Sequence, residues 1–198
     1  MQIMLYEVKK LKKTKKAYVS LILIILAISI ITYSVYEIFY TRKQIENTIK
    51  QFDKINKGKE NKENIGIDKD ILGILINEKE DIYIPVVEGT TNEQLKKGAG
   101  HYSESQMPPD KNECFLFGHR DTVFSCLKDI QSGNKFVLKT KNGEFKYKVS
   151  YTKITSTNSK EVLKRYGEDT LILVTCYPFN YIGSAPKRFI VVCKRYTE

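Results

Sequence analysis

The stretch DTLILVTC, residues 169–176, leads from a run of apolar and β-branched residues to a cysteine. Such a run predicts a β-strand. The thiol of Cys176 then stands at the end of a rigid element that holds it toward whatever lies beyond, as a nucleophile must be held. Because a free cysteine behaves as a small hydrophobe and is often buried, the position of Cys176 alone does not establish its chemistry.

Two further apolar runs carry polar residues at their ends. ECFLFGH, residues 113–119, closes with His119, and RFIVVC, residues 188–193, opens with Arg188. A thiol, an imidazole and a fixed cation for an oxyanion are the minimum set for acyl transfer. Each has an ordinary alternative, since a histidine after a glycine can cap a turn and an arginine at a strand end is often solvated. Spacing alone does not bring the three side chains together.

Three blocks surround these residues in a fixed order: GHRDT (118–122), LVTCYPF (173–179) and GSAPKRFIV (183–191). Together they resemble the signature blocks of the sortase transpeptidases, and the resemblance covers about residues 67 to 198. The set and its order carry the resemblance, because GHR alone is a weak signal. The YPF segment after the thiol and the APKR segment resemble the class D branch most.

The resemblance implies a chemistry for each residue. Cys176 is expected to be the nucleophile, His119 the acid and base, and Arg188 the group that binds the peptide carbonyl or the oxyanion. Thr175 is expected to shape the substrate groove, and Asp121 to orient a loop or His119. The implied substrate is an LPxTG-type sorting signal of a surface protein, cleaved after its threonine. The implied acceptor is an amine of a cell-wall precursor, and no cofactor is implied.

Short strands dominate residues 67–198. Apolar runs cover residues 71–76 and 82–87, and residues 136–140 and 145–149 alternate across Asn142 and Gly143, which is a strong hairpin signal. Two short helices are predicted over residues 91–97 and 160–165. Many short strands separated by turns favour a closed barrel or a sandwich. The resemblance narrows this to a mainly all-β fold with a closed eight-stranded barrel.

The charge distribution argues against nucleic-acid binding. The net charge is +10, but residues 1–16 hold six lysines and one glutamate, and residues 41–66 hold seven basic and four acidic residues. Little of the positive charge therefore falls within residues 67–198. No arginine-rich stripe with interleaved aromatic residues is found there, so a nucleic-acid partner is not expected.

A membrane anchor is predicted near the N-terminus. Residues 17–36 form 20 consecutive uncharged positions, which as a helix span ~30 Å, the hydrocarbon thickness of a bilayer. The lysines of residues 1–16 are typical of a cytoplasmic flank, and the tyrosines near both ends suit the two interfaces. A cleaved signal peptide is the alternative, but no A-x-A site follows the apolar run.

These features divide the chain into four parts. Residues 1–16 are predicted to be a cytoplasmic basic tail and residues 17–40 a single-pass transmembrane anchor. Residues 41–66, rich in Lys, Glu, Asn and Gln, are predicted to be a charged linker or a frayed helical stalk. Residues 67–198 are then the catalytic domain, held outside the cell on the membrane.

The remaining cysteines and the second histidine could also form a disulfide, bind a metal or act as a base. Cys114, Cys126 and Cys193 match no C-x-x-C or zinc spacing, so buried free thiols are favoured over a disulfide or a metal site. His101 lies in a glycine-containing segment, predicted to be a loop, and is the alternative base. The carboxylates of residues 155–169 are too scattered to specify a hard-cation site, so no metal is expected.

Two other functions remain open at this point. One is a thiol peptidase that only hydrolyses its substrate; a papain-like enzyme is disfavoured because its cysteine precedes its histidine. The other is a catalytically inert β-domain, tethered to the membrane for adhesion or signalling. An added amine separates the first from a transpeptidase, and the labelling rate of Cys176 relative to the other thiols separates the second.

Overall fold

Eight β-strands close into a barrel in a computed structural model, which describes residues 2–56, 70–157, 160–181 and 183–197. The strands are β1 (Ile71–Asn77), β2 (Ile82–Glu88), β3 (Ala99–His101), β4 (Glu113–Phe117), β5 (Lys135–Thr140), β6 (Gly143–Ser156), β7 (Thr170–Tyr177) and β8 (Lys187–Arg195). Their order around the barrel is β1-β2-β3-β4-β7-β8-β6-β5, and β5 pairs with β1. The predicted eight-stranded barrel is confirmed.

The pairing directions position the end of β7. β4 and β7 are parallel, as are β2 and β3, and the other neighbours are antiparallel. Because β4 and β7 run in the same direction, the residues that follow them emerge at the same end of the barrel. The predicted strand over 113–119 ends at Phe117, so His119 lies just beyond β4.

β7 is buried on both faces, which explains its uninterrupted apolar sequence. Leu171 and Leu173 belong to the core cluster that fills the barrel. Ile172 and Val174 lie on the opposite face, in a second cluster that we call the outer patch. Its buried members are Phe115, Val162, Ile172, Val174, Ile190 and Val192, and Tyr102, Phe117 and Tyr166 pack against them.

Local predictions met different outcomes. The hairpin is confirmed, with Thr140 of β5 pairing with Gly143 of β6 across two turn residues. Helix α2 (Asn92–Lys97) is confirmed, with Thr91 as its N-cap. The helix predicted over residues 160–165 is wrong, because this segment forms turns. So short a segment makes few helical hydrogen bonds. The loop predicted around His101 is also wrong, since this residue ends β3.

The N-terminal unit is helical. The chain divides into two compact units, Met1–Tyr40 and Thr41–Glu198, and helix α1 (Gln2–Asn56) begins in the first. Within helix α1, Tyr18–Lys50 is long and apolar enough to cross a membrane, with a mean hydropathy of 2.4. Leu21, Ile25 and Phe39 are each more than half exposed. Exposed apolar side chains on a span of this length suggest membrane anchoring.

Residues 41–56 of the predicted linker are helical and belong to the unit that contains the barrel. Ile45 packs against the core cluster, and Thr41, Thr48 and Phe52 are buried. Residues 57–69, which hold the rest of the linker and the predicted start of the catalytic domain, lie outside the described residues.

Candidate active site

The register of the sheet aligns three predicted site residues at one end of the barrel. Cys176 of β7 pairs directly with Arg188 of β8. On the other side of β7, the last pair with β4 joins Val174 to Phe117. His119 follows Phe117 by two residues, just as Cys176 follows Val174. Because neighbouring strands lie about 4.8 Å apart, His119, Cys176 and Arg188 form one row across adjacent segments.

Side-chain alternation puts this row on the outer face of the barrel. Cys176 lies two residues after Val174, and Arg188 lies two residues before Ile190. Val174 and Ile190 both belong to the outer patch, so Cys176 and Arg188 share its face. His119 follows β4 with the same spacing. All three members of the row are half-buried at the end of this buried cluster, so they remain accessible to a reactant.

Close packing of Gly118 and two hydrogen bonds fix the turn after β4 that carries His119. A Cβ at Gly118 would lie 2.6 Å from the ring of the fully buried Phe124, so any larger residue would displace the ring or the turn. The carbonyl of His119 accepts a hydrogen bond from the N–H of Phe124 at 2.9 Å. The Thr175 hydroxyl donates to the carbonyl of Gly118 at 2.7 Å. The backbone that carries the imidazole is therefore held from both the turn and β7.

The environment of the imidazole favours its neutral form. Burial lowers the pKa of His119 below the ordinary value for histidine, and the nearby Lys96 ammonium acts in the same direction. The Asp121 carboxylate opposes both effects. Within the described part of the chain, no hydrogen-bond partner is found for the ring nitrogens. The ring is thus available to a reactant that approaches Cys176.

Arg188 keeps part of its guanidinium uncommitted. Its Nη1 donates to the carbonyl of Lys187 at 3.1 Å, to the Thr157 hydroxyl at 3.3 Å and to the carbonyl of Ala185 at 3.4 Å. No hydrogen bond of Nε or Nη2 is found to the residues that the structure describes. A cation anchored through one nitrogen, with others remaining, can donate to an oxygen bound beside Cys176.

The two other predicted site residues have different surroundings. Thr175 is 2% exposed, and its hydroxyl is committed to the carbonyl of Gly118. This geometry supports a positioning role for Thr175. The Asp121 side chain is 70% exposed, and its Oδ1 lies 3.2 Å from Nε of Arg120. Asp121 acts on His119 through its charge.

Arg120 is a residue that the sequence reasoning did not single out. It is only 8% exposed, although arginine is seldom buried unless it is paired. The available signal was its place directly after His119 in the GHRDT block. That place could not reveal its contacts, because they are with residues about 60 positions away in the chain.

A cleft of about 490 Å³ lies toward the other end of the outer patch. It is bounded by the β3–β4 loop, with Tyr102 and Ser105, by the β6–β7 loop, with Leu163 and Arg165, and by Phe115 of β4. Phe115 pairs with Ile172, four residues before Cys176. Four extended residues span ~13 Å along a strand, so the cleft lies about this far from Cys176.

Two charged side chains fix the β6–β7 loop beside this cleft. Oε1 of Glu113 accepts from the N–H groups of Tyr166 at 2.8 Å and Gly167 at 3.0 Å. Burial raises the pKa of Glu113, but the hydrogen bonds from Gly167 and Tyr166 outweigh it and the pKa is lowered. Nζ of Lys194 donates to the carbonyl of Tyr166 at 3.0 Å and to Thr170 Oγ1 at 2.6 Å.

The other cysteines are buried free thiols, as predicted. Burial raises the pKa of Cys114 and Cys193 far above the usual range of a thiol, and raises that of Cys126 to about 11. Cys176 is more exposed than the other three cysteines, which are buried. Among the described residues, no group of three or more His, Cys, Asp or Glu side chains that could hold a metal ion is found.

Comparison with known proteins identifies relatives of this barrel. Residues 76–196, more than half of the chain, match the model of the Sortase domain family. Sortase D of Bacillus subtilis (strain 168) is 41% identical over 126 residues, which are 63% of this chain and 64% of that protein. Sortase A of Bacillus anthracis is 25% identical over 127 residues, 62% of this chain and 59% of that protein. The chain thus spans less than two thirds of either relative, and the predicted likeness to class D is confirmed.

Solved structures share the fold at lower sequence identity. A Clostridium perfringens Sortase D5 transpeptidase superposes with a TM-score of 0.61 at 24% identity, over 80% of this chain and 99% of that chain. Sortase C1 of Streptococcus agalactiae gives a TM-score of 0.60 at 21% identity, over 81% of this chain and 90% of that chain. Both likenesses support the closed barrel.

Proposed function

Because the chain belongs to the sortase family, we propose that it is a membrane-anchored cysteine transpeptidase with Cys176 as its nucleophile. It cleaves an LPxTG-type sorting signal of a surface protein after the threonine and transfers the acyl group to an amine of a cell-wall precursor. The observation that carries the proposal is the row of Cys176, His119 and Arg188 at one end of the outer patch.

The first half-reaction forms a thioester. The Cys176 thiolate attacks the threonine carbonyl, and the carbonyl oxygen becomes an oxyanion. As the C–N bond breaks, the His119 imidazolium gives its proton to the leaving amine. Cysteine suits this step because the thiol can pass its proton to the His119 imidazole near neutral pH, which leaves the nucleophilic thiolate and the imidazolium that the leaving amine needs.

The second half-reaction reverses the proton movement. An incoming amine attacks the thioester carbonyl while the neutral His119 accepts its proton, and the Cys176 thiolate leaves. The guanidinium of Arg188 stabilises the oxyanion in both steps, since it stays charged and has uncommitted donors on the face of Cys176. Neither of the two half-reactions, as written, uses a cofactor.

The groove for the sorting signal runs above the outer patch, from the cleft near Phe115 to the thiol of Cys176. This path is about four extended residues long, because Phe115 pairs with Ile172, four residues before Cys176. The leucine of the motif lies three residues before the threonine, so it reaches the cleft when the threonine carbonyl lies at Cys176. Glu113 and Lys194 hold the β6–β7 loop that walls this cleft.

The topology follows from the N-terminal helix. Residues 17–40 anchor the chain as a single pass, with the lysines of residues 1–16 in the cytoplasm and the barrel outside the cell. Protease added to intact, wall-stripped cells should then remove the barrel and leave the N-terminus protected. A mature chain that begins near residue 35 would show cleavage instead of anchoring.

The test of the reaction uses the full-length chain in detergent micelles. It is incubated with LPxTG-type peptides varied at x and with a small amine. We expect intact-mass detection of a thioester on Cys176, released by hydroxylamine, and a product joined to the amine at the threonine carbonyl. Cys176→Ala should form neither. No thioester with any peptide would refute the transpeptidase, and a thioester resolved only by water would favour the hydrolytic peptidase.

Thiol labelling tests the inert-domain alternative on the unmodified chain. Iodoacetamide should label Cys176 well before Cys114, Cys126 and Cys193, because burial raises the pKa of the other three and shields them. Peptide mapping by mass spectrometry gives the four rates. Equal rates for all four thiols in the folded chain would favour an inert membrane-tethered β-domain.

A further inference from the structure

We propose that Arg120 is a positioning residue that fixes His119 relative to the loop between Cys176 and Arg188, a role that rests on the proposed function. Arg120 follows His119 directly in the chain. The loop between β7 and β8 carries Cys176 on one side and Arg188 on the other. A single guanidinium therefore joins the turn that carries His119 to the loop that follows Cys176 and leads to Arg188.

The contacts of Arg120 with this loop are made through the loop's backbone. Its Nη1 donates to the carbonyl of Pro178 at 2.9 Å, and its Nη2 donates to the carbonyls of Tyr181 at 2.5 Å and Gly183 at 3.2 Å. Its Nε donates to the Asp121 carboxylate at 3.2 Å. Four of the five N–H groups of the guanidinium are thus engaged.

Two further features make this arrangement a fixed one. Arg120 is 8% exposed, so little water reaches its N–H groups. Its guanidinium also lies 5.8 Å from the centroid of the Tyr181 ring, within cation–π range. A buried cation must keep its partners, because losing them would leave it and the loop carbonyls unsatisfied. The loop therefore stays where Arg120 holds it.

The choice of arginine follows from the geometry of the acceptors. Three carbonyls spread over residues 178–183 need a planar group with donors in several directions. A lysine ammonium carries the same charge, but as a compact group on a flexible stem it cannot reproduce this planar fork of donors. Because the acceptors are backbone atoms, no side-chain change within the loop removes them, and Arg120 is the position at which the connection can be broken.

The consequence for the reaction is a loss of alignment. Without Arg120, the turn after β4 and the loop after β7 can move apart, and His119 is no longer held to the Cys176 thiol. A displacement of about 1 Å can cost ~10²-fold in the chemical step. The cleft near Phe115 lies at the other end of the outer patch, so peptide binding should change much less than kcat.

The experiment compares Arg120 with Arg195 in the full-length chain in detergent micelles. Arg195 is a matched control, since it also pairs with a carboxylate, Asp169 at 3.3 Å, and faces an aromatic ring, Phe145 at 4.8 Å. It lies at the far end of β8 from Arg188. Met and Lys replacements at each position are assayed for kcat, KM and unfolding temperature, and for the pH profile of Cys176 alkylation by iodoacetamide.

We expect Arg120→Met to lower kcat by ~10²-fold with KM within about 3-fold, and to change the pH profile of alkylation. Arg120→Lys should have a kcat almost as low as that of Arg120→Met. If the Met variant does not fold, kcat and the alkylation profile are measured on the Lys variant. Arg195→Met should lower the unfolding temperature while kcat and the alkylation profile stay as in the wild type.

Two results would overturn the inference. One is wild-type kcat and alkylation profile in the folded Arg120 variants; the other is an equal loss in the Arg120 and Arg195 variants. Failure of the proposed function is seen separately, because the wild-type chain would then form no thioester. The alkylation profiles, which need no peptide substrate, would still decide whether Arg120 positions His119 at the thiol.

Discussion

The two histidines of the chain each follow a glycine and lie at the ends of neighbouring strands, but their surroundings differ. His101 ends β3 and is 4% exposed. Its Nδ1 lies 2.9 Å from the Glu88 carboxylate and its Nε2 3.0 Å from the Ser105 hydroxyl. His119 lies beyond β4 and is half-buried, and no partner of its ring is found in the described part of the chain.

Distances alone would favour His101 as the base. Ser105, His101 and Glu88 are spaced like a serine, histidine and acid triad. The Ser105 hydroxyl, however, also donates to the carbonyl of Tyr102 at 2.7 Å and accepts from the N–H of Phe115 at 3.1 Å. A nucleophile needs an open approach, and this oxygen is held by three partners. The proposal of His119 as the base therefore rests on its uncommitted ring nitrogens rather than on a complete set of partners.

Exchanging the two histidines for alanine should give the largest contrast. His119→Ala should lower kcat by ~10²–10⁴-fold, because proton transfer is lost in both half-reactions. His101→Ala should leave kcat of the folded chain within a few-fold and lower the free energy of unfolding by about 1–3 kcal/mol, since buried partners lose their hydrogen bonds. Single-turnover kinetics and urea unfolding measure the two effects. The reverse pattern would make His101 the base.

Alanine at the two glycines that precede the histidines should affect kcat and stability differently: kcat more at Gly118, and stability more at Gly100. A Cβ at Gly118 meets the Phe124 ring at 2.6 Å, whereas a Cβ at Gly100 meets the carbonyl oxygen of Gly89 at 2.3 Å. Gly118→Ala should displace the turn that holds His119 and lower kcat by ~10-fold. Gly100→Ala should lower stability more, because the backbone of Gly89, whose N–H donates to the carbonyl of His101 at 3.0 Å, cannot move aside as a side chain can; overpacking costs about 1–3 kcal/mol.

Two quantities are measured for each glycine variant: kcat at a temperature below that of unfolding, and the midpoint of urea unfolding. Each variant serves as the control for the other, since both add one methyl group before a histidine. If Gly100→Ala lowered kcat more than Gly118→Ala did, the turn after β4 would not be what positions the base.

The sequence was informative where a pattern reports on local structure. The apolar, β-branched run before Cys176 predicted β7, which is buried on both faces. The alternation around residues 136–149 predicted the β5–β6 hairpin, because the period of two is a property of the strand itself. Side-chain partners were not predictable. Nothing in the short segment that ends at His101 reports a strand of three residues, because such a strand depends on its neighbours for its hydrogen bonds.

The site shows the same limit. The GHRDT block gave the order of His119, Arg120 and Asp121 but not the burial of Arg120, whose acceptors lie in a distant loop. The groove role expected for Thr175 is not what its geometry supports, because its hydroxyl is turned to the carbonyl of Gly118. Alternation along β7 does predict this direction, since Thr175 shares the face of Leu171 and Leu173.

A smaller effect should come from the carboxylate beside His101. Burial raises the pKa of Glu88, but hydrogen bonds from Ser103 and His101 outweigh it and leave the pKa below 4.5. A carboxylate with a lowered folded-state pKa contributes stability above its unfolded value, and that contribution is lost as the pH falls through the folded value. Stability should therefore decline as the pH drops below about 4.5, and Glu88→Gln should weaken this decline.

Urea unfolding from about pH 6 to about pH 3, which spans the usual carboxylate range, measures the slope. Glu144→Gln, which changes an exposed carboxylate paired with Lys139 on the outside of the barrel, is the matched control, and Glu88→Gln should weaken the slope more than this control does. A wild-type slope in Glu88→Gln would mean that the carboxylate is not coupled to folding.

The smallest effect should come from the two charges that flank His119. Asp121 raises and Lys96 lowers the pKa of His119, while burial sets the overall decrease. Asp121→Asn should therefore lower this pKa further, and Lys96→Met should raise it. Because the first half-reaction uses the imidazolium, its rate is lost as the pH rises through the His119 pKa. The alkaline limb of acylation should move to lower pH in Asp121→Asn and to higher pH in Lys96→Met, with Lys97→Met as a control that leaves it in place. The same pKa has a consequence for folding: a histidine with a lowered folded-state pKa costs stability as the pH falls through its ordinary value of 6.5 and below. His119→Ala should remove that loss and His101→Ala should not. Shifts of the limb in the same direction for both charge variants would show that structural change, rather than the charges themselves, governs the base.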